Sequence, residues 1–228
     1  MAEEVSVLLH AVRLLGFADA AAIAASLGGD SAGEESGGNA STGQDYTGQG
    51  GGLVTEALLD AESRGWVQHT AFGDLGGWSL TERGRVENER LLAEERQEAD
   101  PGGEVAAVYR EFLPCNARLL RACTDWQLRP TGTDALAPND HRDPVWDQRV
   151  LAELAALSRE LVPLVARLRA VLPRFGGYDE RFATALGRAQ AGEHDWADRL
   201  DVDSCHRVWF ELHEDLVATL GIDRSAVH

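Results

Sequence analysis

Apolar residues near the start of the chain recur at Val5, Leu8, Leu9, Val12 and Leu15, the spacing of one helical face, and stop at Gly16. This predicts a helix over 4–16. Asp19 precedes the alanine-rich stretch Ala20–Leu27, which reads as a second, capped helix able to pack closely on the first. Over 28–52 the chain is mostly Gly, Ser and acid with almost nothing to bury, a flexible insertion. Helical spacing resumes at Leu53 with Val54, Ala57, Leu58 and Ala61, and ends at Arg64-Gly65. WVQHTAF and WSLT are strand-like runs on either side of GDLGG, a hairpin. ERGRVENERLLAEERQEA then reads as a charged helix anchored by Leu91 and Leu92.

Asp100-Pro101-Gly102-Gly103 interrupts the pattern and separates a domain over 1–99 from one over 104–228. Beyond it, Val105, Val108, Tyr109, Phe112, Asn116, Leu119, Leu120 and Cys123 form one long helical face, with a kink expected at Pro114. Thr124–Pro144 reads as a loop of about twenty residues, long enough that function or disorder must account for it. Helices follow over 145–172, kinked at Pro163, and over 178–191. A last helix takes Asp203 as its cap and Gly221 as its end. The fold class is mainly α: an N-terminal winged helix-turn-helix with a small β-hairpin wing, then a C-terminal helical bundle.

Two sets of residues carry a family resemblance. Ser63-Arg64-Gly65-Trp66-Val67 and Trp78-Ser79-Leu80-Thr81-Glu82-Arg83-Gly84-Arg85 resemble the entry to the wing and its exit in bacterial winged-helix regulators. Thr124–Pro130, Asn139–Pro144, Asp195-Trp196 and Asp203–Gly221 resemble the helical half of actinobacterial regulator-like proteins of the MarR or PadR type. The resemblance implies a winged-helix transcriptional-regulator-like architecture, and the leading reading is a homodimer with a small organic ligand and double-stranded DNA as partners.

Charge opposes the DNA part of that expectation. The 228 residues carry a net charge of −17, and residues 1–100 hold 18 acids against 6 Arg. The helix that would enter the groove bears Glu56, Asp60 and Glu62, where a base-reading helix presents Arg, Asn, Gln or Ser. Thr55, Arg64, Arg83 and Arg85 are the DNA-contact candidates; for Arg83, Arg85 and the nearby Arg90, salt bridges to neighbouring Glu are the competing reading. A helix-turn-helix ordinarily turns in about 3–4 residues, and the insertion here is far longer. No secretory leader or membrane-length apolar run is evident, so a cytoplasmic protein without a membrane partner is expected. Cys115, Cys123 and Cys205 make no zinc spacing and read as reduced packing residues.

Candidate chemistry concentrates in the second half. On the last helix His206, Trp209, Phe210 and His213 share a face and would form one wall. Around it stand Trp126, Arg129, Asn139, His141, Trp146 and Trp196, which suit a pocket for a flat or anionic organic ligand, with Arg129 gripping a carboxylate. The competing reading is that the Trp side chains simply fill a bundle core. No metal is expected, since His206 and His213 lie two turns apart, about 10 Å. No cofactor motif occurs. The second functional reading is an enzyme that has lost DNA binding. It would use acid–base chemistry on a small organic substrate, drawing on His206, His213, Glu214, Asp125 and His141.

Overall fold

The computed structural model describes residues 2–28, 47–73 and 75–222. Among them the chain is mainly helical, with one two-stranded antiparallel hairpin. It divides into two compact units, 1–95 and 96–228.

The first unit contains α1 (Ala2–Leu15), α2 (Ala20–Gly28), α3 (Thr47–Ser63), β1 (Val67–Phe72), β2 (Leu75–Leu80) and most of α4 (Glu82–Ala99). Asp19 caps α2, its Oδ1 accepting from the Ala22 amide at 2.7 Å. The stripes read from the sequence meet in a core of Leu8, Leu9, Val12, Ile23, Leu58, Ala61, Val67, Trp78 and Leu91. Burying one such Leu contributes about 1.5–3 kcal/mol.

Two boundaries differ from the sequence pattern. α3 begins at Thr47 and not at Leu53, so the end of the expected 28–52 insertion is helical. Once nucleated, a helix gains one bond for each added residue, and a polar Gly-rich turn can extend it without any apolar signal. Of that insertion, residues 29–46 lie outside the described residues. In the hairpin, Phe72 pairs with Leu75, so Leu75, Gly76 and Gly77 belong to β2 and not to the turn. Gly77 is small because the Phe17 ring lies over it; a Cβ there would stand 2.5 Å from the ring.

The Thr81–Gly84 stretch has a concrete role. The Thr81 hydroxyl donates to the Gly65 carbonyl at 2.6 Å and accepts from the Gly84 amide at 3.0 Å, which caps α4 and ties it to the start of the hairpin. Gly84 must lack a side chain, since a Cβ would sit 1.7 Å from the Trp66 carbonyl oxygen.

The second unit contains α5 (Glu104–Gln127), α6 (Pro144–Val171), a 3-10 turn at Pro173–Phe175, α7 (Tyr178–Gln190), α8 (Asp195–Asp198) and α9 (Cys205–Leu220). Its core joins Phe112, Leu119, Leu154, Leu161, Phe182 and Trp209. α5 runs through Pro114 and α6 through Pro163. Leu120, expected on the buried face of α5, is 51% exposed. Asp100 caps α5 from outside it, its two oxygens accepting from the Glu104 and Val105 amides. No helix among the described residues is long and apolar enough to cross a membrane.

α9 is capped by Ser204 and not by Asp203. Asp203 instead takes a two-point contact from Arg181, which also reaches Glu211 at 2.6 Å. Beside it the buried Asp215 accepts from Arg174 and from the Tyr178 hydroxyl. Buried acids on α9 are thus matched by arginines from the α7 side, as charges removed from water require. Burial, with Asp215 close by, pushes the Tyr178 phenol well above its ordinary range.

Candidate functional site

The C-terminus of α5 ends in carbonyls with no partner inside the helix, and the following loop satisfies them one by one. The Trp146 indole N–H donates to the Asp125 carbonyl at 2.7 Å, the Asn139 side chain to the Trp126 carbonyl at 3.0 Å, and the Asn139 amide to the Gln127 carbonyl at 2.8 Å. A bridge between Leu128 and Pro138 closes the loop at its neck. Asp143 then caps α6 through the Val145 and Trp146 amides. These bonds, with Trp146 first, hold the Asp143 carboxyl below its usual range, and Arg129 adds to the effect. Residues 124–127, expected in the loop, are helical, so the loop is 128–143.

Inside this closed loop sits His141, with φ of 55°, in the left-handed region that a side chain with a Cβ occupies only at a cost. Its neighbours hold it there. Its amide donates to Asn139 Oδ1 at 3.2 Å, and its Nδ1 faces Asp147 Oδ2 at 3.1 Å. Its ring packs 4.6 Å from Trp126 and 4.4 Å from His194. The Asn139 side-chain amide uses its two hydrogens on the Trp126 carbonyl and on Asp147 Oδ1, the latter at 2.8 Å. Nδ1 of His141 therefore donates to the buried carboxylate, and in the neutral imidazole Nε2 is then the acceptor. Nε2 has no hydrogen-bond partner among the described residues, while the side chain is 22% exposed. The result is a carboxylate-oriented imidazole, sandwiched between a buried indole and a surface His, with a proton-accepting nitrogen left over.

The ligand-site residues expected from the sequence fall into two groups. Trp126, Asn139 and His141 meet in this cluster, and Trp146 adjoins it, with Arg149 4.1 Å over its ring. Arg129 is engaged by Asp143, so its guanidinium already grips a carboxylate of the protein itself. Trp196 is covered by Arg188 at 3.7 Å. His206 reaches the Asp198 carbonyl at 3.3 Å, and Gln127 reaches the Asp198 carboxylate, so α8 stands between the end of α5 and α9.

The expected wall on α9 is not one surface. Trp209 is core, stacked 4.8 Å from Phe112 and donating to Asn116 at 3.1 Å; Phe210 is 47% exposed; His213 packs against Tyr109 and Phe112. A helix face spans too wide an arc for all four side chains to meet one ligand once Trp209 points into the bundle. Of the acid–base candidates, Asp125 is paired with Arg149, Glu214, His206 and His213 stand on α9, and His141 is held by the buried Asp147 carboxylate.

Among the DNA-contact candidates, the Thr55 hydroxyl bonds back to the Gly51 carbonyl inside α3, and Arg64 pairs with Asp60 and lies 5.0 Å over Trp66. Arg90 is held between Glu87 and Glu94. Arg83 and Arg85 are exposed; the bond from Arg90, and with it the nearby Arg83 charge, holds the Glu87 carboxyl below its usual range. The exposed positions of α3 include Glu56, Asp60 and Glu62.

Two features had weak or no sequence signal. Asp147 is an acid in the first turn of a helix, a position acids commonly take for the dipole alone, and nothing in the spacing marks its partner. A cavity of about 420 Å³ in the first unit, between α1, α3 and α4, is lined by none of the expected ligand residues. Among the described residues no group of three or more His, Cys, Asp or Glu is placed to hold a metal ion. Comparison with known proteins finds no protein family, curated protein or solved structure that matches the chain.

Proposed function

We propose that the protein is a winged-helix protein of the regulator type that binds a small organic ligand at the loop-bearing end of its second unit. The observation that carries the ligand reading is His141: a strained residue, locked by Asn139 and Asp147, that offers Nε2 beside the exposed His194 ring. Strain of this kind is retained where a site needs one fixed orientation. The ligand it fits carries a hydroxyl or amide N–H to donate to Nε2 and a flat body to lie along the His194 ring.

The winged-helix reading is supported by one pairing. Ala18, between α1 and α2, exchanges two backbone bonds with Trp78 of β2, at 3.2 and 2.7 Å. This single bridge lies between α1 and α2 and adds one backbone-paired residue beside the hairpin. DNA contact through this unit would rest on Arg83 and Arg85, because α3 presents acids. Two phosphate contacts per chain give a log–log salt slope of about −1.8, and about −3.6 for a homodimer.

The second reading, an enzyme on the same scaffold, is favoured by the Asp147–His141 pairing, which is also what a general base needs. A low-salt mobility-shift titration against the DNA upstream of the protein's own gene separates the two. A shift that weakens with salt along that shallow slope supports the regulator; no shift at micromolar protein removes it.

A further inference from the structure

We propose that the outer face of the hairpin is the surface on which the chain meets a second copy of itself, an inference that does not rest on the His141 cluster. The strand register fixes which side chains share that face. Phe72 pairs with Leu75, Thr70 with Gly77 and Gln68 with Ser79, and strand alternation puts all of them on one side. His69 and Trp78, with ring centroids 4.9 Å apart, take the other side, from which Val67 and Trp78 enter the core of the first unit. The Phe17 ring covers the bare backbone of Gly77, so it lies on the outer side as well, next to the Phe72–Leu75 pair. Three large apolar side chains therefore meet in the open: Phe17 is 52% exposed, Phe72 86% and Leu75 73%.

Charge and area select the occupant. Two chains of net charge −17 repel one another and approach most easily where the facing surfaces carry no charge. Every side chain named on this face is uncharged. The other exposed apolar stripe, Leu113 and Leu120 on α5, stands beside the exposed Arg110 and Arg121, which two copies meeting there would bring together. A buried aromatic side chain contributes about 150–250 Å², so at these exposures the three side chains bring roughly 400 Å² of apolar surface from each copy. That is about half of the ~800 Å² that one partner gives to a standard interface, and it supplies the apolar, aromatic-rich centre, with Gln68, Thr70 and Ser79 as the polar rim. The face also suits a two-fold axis. Phe72 stands at the tip and Phe17 nearer the base, so one hairpin laid antiparallel on another brings each Phe72 against Phe17 of the second copy, the same aromatic contact made twice.

Sedimentation equilibrium of the full-length protein, up to about 200 μM, tests the pairing. The expected result is a monomer–dimer equilibrium with a dissociation constant on the order of 10–100 μM, tightened by added salt as the repulsion between the acidic chains is screened. Phe72→Asp and Leu75→Asp should each weaken it at least tenfold without lowering the melting temperature measured at about 1 μM, because both side chains are exposed in the single chain. Leu113→Asp should change it by no more than about twofold. A chain that stays monomeric at about 200 μM, a dimer that both hairpin variants leave intact, or a dimer dissolved by Leu113→Asp alone overturns the proposal. Binding of the monomer to neutral phosphatidylcholine vesicles, lost in Phe72→Asp, would assign the face to lipid and overturn it equally. None of these outcomes touches the reading of the His141 cluster, which lies within the second unit.

Discussion

Asp147→Asn changes a single atom of a side chain that is 12% exposed. In the native protein Oδ1 accepts from Asn139 Nδ2 at 2.8 Å and Oδ2 accepts from His141 Nδ1 at 3.1 Å. An amide has one acceptor and one donor end, so whichever way it turns, an N–H faces one of two groups that were donating. Keeping the oxygen on Asn139 forces His141 to accept at Nδ1 and to carry its proton on Nε2, so the exposed nitrogen changes from acceptor to donor. A charge-assisted bond contributes about 1.5–3 kcal/mol and a neutral one about 0.5–1.5, so the exchange costs about 1–2 kcal/mol. For a unit of this size that lowers the melting temperature by about 3–8 °C. The assay is calorimetric melting together with imidazole nitrogen spectra of protein labelled at His. The native spectrum should show His141 protonated at Nδ1, the variant should show it protonated at Nε2, and affinity for a hydroxyl-bearing ligand should fall about tenfold. The same tautomer in both proteins, or an unchanged melting temperature, would show that Asp147 does not set the His141 tautomer.

Further outcomes follow from the cap and the thiols. The Asp143 carboxyl is held below its usual range chiefly by the Trp146 amide, so its contribution is present above the unfolded value and lost as pH falls below about 4 through the folded value. Hydrogen exchange at the Val145 and Trp146 amides should therefore accelerate between pH 5 and 3 beyond its intrinsic trend. Asp143→Ser, which still caps but does not titrate, should remove that excess. Burial pushes the Cys123 thiol up to about 12, and Cys115 and Cys205 are raised by the same cause. A disulfide reagent at pH 8 should find no reactive thiol in the native protein and three after unfolding; rapid native labelling of Cys123 or Cys205 would contradict their burial.

Much of the framework was legible from periodicity, because stripes such as Leu8-Leu9-Val12 and Val105-Val108-Phe112 have one stable use, to face a core. Boundaries in polar or Gly-rich stretches were not, since Thr47–Gly52 in α3 and Leu75–Gly77 in β2 form by extending existing hydrogen-bond ladders. Trp126, Asn139 and His141 stood out by residue type, and they do converge. Asp147 did not, because its role depends on where the loop returns, a distance set by the Leu128–Pro138 bridge that no local pattern records. The α9 wall failed for a related reason: periodicity places side chains on a face and does not say which of them the core claims first. Trp209 was claimed by Phe112 and Phe182. The cavity between α1, α3 and α4 is lined by Ala57 and Ala61, which in sequence read as part of the apolar face of that helix.

The most direct test of the ligand site is to record His ring resonances of the full-length protein while a library of small hydroxylated aromatic compounds is added. His141 and His194 should shift together and saturably with at least one compound, while His10 and His69 stay fixed, and the response should vanish in His141→Ala. A compound that binds tightly yet leaves both His141 and His194 unmoved would contradict the account.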